Sequence, residues 1–153
     1  MRVSAKTDYA LRAAVELAAA HANGAPVKGE KLATTQSIPL RFLENILLQL
    51  RHAGIVESRR GADGGYKLAR PPEEITLADV IRAIDGPLAG VSGQRPETLD
   101  FKGTSEPLRE VWVAVRASLR GVLEEVTLAH VAGGELPPNV RALTEAPDAW
   151  VSH

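Results

Sequence analysis

Ser37, Arg41, Glu44 and Asn45 are the outward positions at the N-terminal end of a helix expected over residues 39–53. Arg41 can bond a guanine or a phosphate, Glu44 can accept from a cytosine amino group, and Ser37 is adaptable. A merely solvated helix face would also be polar, so the neighbouring elements must decide. Arg59 and Arg60 stand at the base of the glycine-rich loop Gly61–Gly65. Glycines there, Gly64 among them, let a backbone approach a phosphate closely, and arginine favours the negative potential of a narrow minor groove. A nucleotide-phosphate loop is excluded, because no Gly-Lys-Ser/Thr follows and the loop joins two strands. Arg2, Lys6 and Thr7, at the start of the first helix, could hold a phosphate backbone from the side through charge and the helix N-terminus.

Other chemistries are poorly provided for. The chain has no cysteine, which removes disulfides, thiolate metal sites and cysteine nucleophiles together. His21, His52, His130 and His153 are far apart in sequence and read as structural or solvated. No Ser/His/Asp, paired-acid or metal-hydrolase constellation is discernible, so no enzyme, metal or cofactor is expected.

The elements that must position these residues follow from periodicity and turn chemistry. Residues 4–22 read as a helix with Tyr9, Ala10, Ala13, Ala14, Leu17 and Ala18 along one face, stopped by Asn23-Gly24-Ala25-Pro26. Val27 is a short extended contact, and Gly29–Thr35 a brief second helix. After Gln36-Ser37-Ile38, Pro39 opens the third, whose inward set is Leu40, Leu43, Ile46, Leu47 and Leu50. Two helices joined by so short a turn form a helix-turn-helix. The runs Ile55–Arg59 and Tyr66–Ala69 around the glycine tip read as a hairpin, which in that position is a wing. Thr76 caps a fourth helix carrying Leu77, Val80, Ile81 and Ile84 inward. The fold class is therefore mainly α with a small β-hairpin wing, a winged helix-turn-helix plus a long helix. The head spans 1–85, a glycine- and proline-rich strap loop 86–107, the long helix 108–132 and a polar C-terminal tail 133–153. On the long helix, Leu108, Val111, Trp112, Val115, Leu119 and Val122 form an apolar stripe that a small head cannot cover, so a partner subunit is expected to dimerise there.

The net charge of −1 conceals an asymmetry. Residues 1–72 carry eleven Lys and Arg against six Asp and Glu, whereas residues 73–153 carry seven against thirteen. A basic front half suits a polyanionic partner. No apolar run is long enough to span a membrane and no clean cleavage site follows the N-terminal stretch, so a cytoplasmic location is expected.

Met1–Arg12, Ile38-Pro39-Leu40-Arg41-Phe42-Leu43-Glu44, Arg60–Pro71, Ile75–Ile81 and Val126-Thr127-Leu128-Ala129 together resemble, in order, the motifs of the IscR/NsrR/CymR (Rrf2) family of bacterial winged-helix transcriptional regulators. The resemblance covers roughly residues 1–132. It implies a homodimer that crosses its long helices and binds a palindromic double-stranded DNA operator. It assigns DNA contact to Lys6, Tyr9, Ser37, Arg41, Glu44 and Arg60, and leaves Phe42 either packing or touching a thymine methyl. The chain departs from the cluster-binding members, which place three cysteines in the strap: residues 88–102 hold neither cysteine nor histidine. Asp8 stands where some relatives add a ligand, but without thiolates an iron–sulfur cluster has too few. The expectation is a sequence-specific regulator, acting as a repressor, without a cluster. Its signal is a small metabolite bound between head and long helix near Phe101 and Trp112, or a partner protein; the alternative is a protein-interaction regulator controlled by either.

Overall fold

The alanine face of the first helix sets the architecture, because small side chains let four other helices approach it. The computed structural model describes residues 2–152; Met1 and His153 lie outside the described residues. Helix α1 (Ala5–Ala20) is capped by Ser4, whose hydroxyl accepts from the Thr7 N–H. Its Ala10, Ala13, Ala14 and Leu17 are buried with Leu32 of α2 (Gly29–Gln36) and Leu43, Ile46, Leu47 and Leu50 of α3 (Leu40–His52). Burial of each large aliphatic side chain contributes about 1.5–3 kcal/mol, so this cluster fixes the helix-turn-helix angle. Leu40, expected inward, is exposed instead, because at the first position of α3 it faces the wing rather than α1.

Strands β1 (Val56–Arg59) and β2 (Gly65–Leu68) pair antiparallel, with Val56 opposite Leu68 and Arg59 opposite Gly65. Val27 exchanges two backbone hydrogen bonds of 2.8 Å with Tyr66, which ties the wing to the approach of α2. A capping box joins Thr76 and Asp79 at the start of α4 (Leu77–Asp85). The strap is ordered. Ser92 and Gly93, both at positive φ, turn a tight hairpin between Val91 and Gln94, and Leu88, Pro96 and Leu99 are buried.

The continuous helix expected over 108–132 is two helices, α5 (Leu108–Leu123) and α6 (Leu128–Gly133). The break has a tertiary cause. Leu77 N–H donates to the Val126 carbonyl and Leu128 N–H to the Ile75 carbonyl, each at 2.9 Å, so residues 126–128 are drawn out as a bridge beside 75–77. Thr127 then starts α6 with its own capping box to His130, and Leu128 is buried against the head core. The tail also contains structure: α7 (Pro138–Thr144) begins on a proline and buries Val140. No described helix is long and apolar enough to cross a membrane.

Candidate nucleic-acid interface

The N-terminal half of α3 presents Arg41, Glu44 and Asn45 outward, while Leu43, Ile46 and Leu47 beneath them are wholly buried. Ser37 precedes them at φ 53°, a left-handed conformation uncommon for serine. It ends α2, the Ser37 and Ile38 N–H groups both turning back to the last carbonyls of that helix. The turn is braced from α1: Arg12 donates to the Gln36 carbonyl at 2.8 Å and pairs with Asp8 at 2.9 Å. Arg12 is a positioning residue that sequence reasoning missed, although it lies within the first family motif.

The wing meets this helix in a shared groove. Lys28, Leu40, Glu44, Arg59, Gly61 and Tyr66 line it, so the structure brings Glu44 of α3 and Arg59 of β1 to one concave surface. Lys28, also missed, donates from Nζ to the Ala62 carbonyl at 2.8 Å and holds the wing tip toward α2. Its basic type just before α2 was the available signal. Arg60 lies exposed at the end of β1. Arg2 and Lys6 flank the start of α1. Among the described residues, Arg2, Lys6, Arg41, Arg59 and Arg60 have no carboxylate within ion-pairing distance. Arg12, Arg70, Arg82, Arg116 and Arg120 each have one. Cations left without internal counter-ions keep their full charge for an external polyanion.

Tyr9 is half-buried between α1 and α3. Its ring meets Phe42 edge-on at 5.7 Å, and the Arg12 guanidinium lies 4.8 Å from its centroid. Phe42 thus packs on Tyr9 while keeping part of its ring exposed. Two expected contacts are corrected. Thr7 is only 1% exposed, and its hydroxyl donates to Asp85 Oδ2 at 2.5 Å, so it joins α1 to α4 and cannot face DNA. Gly64 is buried inside the wing turn, where a Cβ would lie 2.2 Å from the Arg59 carbonyl oxygen. Its role is to let the turn close, not to approach a phosphate.

The expected dimerisation stripe divides. Leu108, Val111 and Val115 are 42%, 49% and 36% exposed, whereas Trp112, Leu119 and Val122 are half-buried. No residue of α5 is buried. On its other side α5 meets the strap, where Arg109 donates to the Leu99 carbonyl at 2.9 Å and Arg116 pairs with Glu97.

Known proteins share this arrangement. The family model described as "Rrf2: Iron-dependent Transcriptional regulator" matches residues 3–134. A Mycobacterium tuberculosis protein, whose name places it provisionally among HTH-type transcriptional regulators, is 53% identical over 145 residues, spanning 95% of this chain and 89% of that protein. The structure of CymR from B. subtilis superposes with a TM-score of 0.75 at 34% identity, over 88% of this chain and 98% of that one. That of T. potens IscR gives 0.69 at 32% identity, over 100% and 93%.

Proposed function

This chain belongs to the Rrf2 family of transcriptional regulators, and on that footing we propose that it is a sequence-specific repressor that binds a palindromic operator as a homodimer. One observation carries the reading: the start of α3 and the wing share a groove whose cations, Lys28 and Arg59, have no carboxylate partner among the described residues. Arg41 and Glu44 read base edges in the major groove. Arg59 and Arg60 take the flanking minor groove, and Ser37, Lys6, Arg2 and the Tyr9 hydroxyl hold the phosphate backbone. The exposed Leu108, Val111 and Val115 stripe supplies the dimer contact, since an apolar helix face of this length is otherwise left in water. The protein acts in the cytoplasm, with no enzymatic step.

The family description names iron, and the donor set here does not fit an iron–sulfur cluster. The strap has no thiolate or imidazole, Asp8 is engaged by Arg12, and no group of three or more His, Asp or Glu converges among the described residues. The sensing step of this regulator therefore runs through another ligand, a small metabolite or a partner protein.

Mobility shifts on the promoter region, at graded salt, test the DNA reading. Arg41→Ala and Glu44→Ala should each change preference at one operator position by about 1–3 kcal/mol. Arg2→Ala should weaken binding to all sequences and flatten the salt dependence. Equal losses across operators for all three would refute the recognition-helix assignment.

A further inference from the structure

Four arginines gather apart from the DNA face, between head and α5. A cleft of about 410 Å³ is walled by Arg82 and Gly86-Pro87-Leu88 at the end of α4, Arg95 and Glu97 of the strap, and Arg116 and Arg120 of α5. No residue of α2, α3 or the wing lines it. Its size is that of a small-molecule site.

The cleft is short of negative charge. Arg116 is paired with Glu97, and Arg82 and Arg120 share Glu124. Arg95 has no carboxylate within 4 Å among the described residues. Four guanidinium groups thus line the cleft, and three of them share two carboxylates. Both acids are held below the usual carboxylate range, Glu97 first by its own backbone N–H and Glu124 first by the Arg82 hydrogen bond. The two glutamates also show what the walls accept: anionic oxygens set against guanidinium N–H donors, which carboxylate and phosphate groups both supply. Leu88, buried beneath, gives the cleft an apolar floor that strengthens a charge contact relative to open water.

The cleft adjoins the DNA face through one residue. Asp85 immediately precedes Gly86, and it accepts the Thr7 hydroxyl at 2.5 Å and the Ser4 hydroxyl at 3.2 Å. Ser4 caps the helix whose first turn carries Lys6. A movement of the α4 C-terminus is therefore felt where α1 meets DNA.

We propose that this cleft is an effector site for a small polyanion bearing two or more carboxylate or phosphate groups, and that occupancy alters operator affinity through the Asp85–Thr7 contact. The second half rests on the DNA-binding reading above; the first does not.

Isothermal titration of the full chain without DNA, at constant ionic strength, separates them. Inorganic pyrophosphate and citrate are titrated separately to distinguish phosphate from carboxylate ligands. Saturable binding of at least one is expected, at one per chain. It should weaken about tenfold or more in Arg95→Ala. Arg95→Lys, which keeps charge but loses the fork, should fall between. Arg60→Ala on the wing should leave it unchanged. Absence of saturable binding of either anion overturns the site, as does equal loss in Arg60→Ala, which would put the anions on the DNA face. Mobility shifts with and without the bound anion then test coupling. A change of about fivefold or more is expected, abolished in Asp85→Ala while anion binding persists. Unchanged operator affinity with the cleft filled overturns the coupling. A chain that binds no DNA at all refutes the regulator reading and leaves the calorimetry to decide the site.

Discussion

Thr7→Val separates two roles for one residue that the sequence alone does not distinguish. Valine matches the shape of threonine, so no cavity forms, and the change removes only a hydroxyl that is 1% exposed. That hydroxyl donates to Asp85 Oδ2 at 2.5 Å, with Ser4 Oγ 3.1 Å away. A hydrogen bond to a charged acceptor contributes about 1.5–3 kcal/mol. Asp85 is exposed, so water and Ser4 can still reach its carboxylate, which places the loss near the lower end, about 1.5 kcal/mol. For a chain of this length that lowers the thermal midpoint by about 3–6 °C. Circular dichroism melts at fixed protein concentration, which matters for the proposed dimer, would measure it. In the double-mutant cycle with Asp85→Ala, the two losses should fail to add by about 1 kcal/mol, because both remove the same contact. Operator affinity, measured far below the midpoint and without effector, should change less than in Arg2→Ala. The reasoning is refuted if the midpoint is unmoved while operator binding collapses, since that is the behaviour of a surface residue touching phosphate.

Two further substitutions test other elements. Gly64→Ala drives a methyl group into the Arg59 carbonyl, so the wing must reopen. Operator affinity should fall about tenfold or more, with helical circular dichroism preserved because the helical core does not include the turn. Val111→Glu with Val115→Glu places two charges on the exposed stripe of α5. Sedimentation should then show a monomer, with operator binding weakened by loss of the second head; an unaltered dimer would move the interface elsewhere.

Local signals made the head legible. The 3.6-residue period located α1, α3 and α4, the Asn23-Gly24-Ala25-Pro26 stop bounded the first, and Thr76 announced its own helix. What failed was non-local. Thr7 sits between a half-buried Lys6 and an exposed Asp8, and its partner Asp85 lies 78 residues away, so no window around it reveals burial. Val126 continues the apolar period of α5 without a gap, and only the pairing of 126–128 with 75–77 shows that the helix has ended. Thr127 is a capping threonine, but its partner is His130 rather than the usual Glu or Gln, which hid the start of α6. The arginine cleft draws on positions 82, 95, 116 and 120, each unremarked in its own segment.

The same non-local contacts decide which parts of the molecule can move against each other. The C-terminal end of α5 is pinned to the head by two backbone hydrogen bonds across 75–77 and 126–128, and by burial of Val126 and Leu128. Its remaining length touches the rest of the chain through the strap, by side-chain bonds such as Arg109 to Leu99 and Arg116 to Glu97, with no buried residue of its own. Breaking the first attachment strands buried backbone groups and apolar surface. Exchanging the second for a bound anion replaces one charge-assisted contact by another of similar strength. For the proposed dimer, the spacing between heads is thus held at the α5–α6 junction. The strap side, with its arginine cleft, is where a ligand can act at small energetic cost. The strap carries no cysteine, yet it holds a mechanical position between α5 and the Asp85 link to α1.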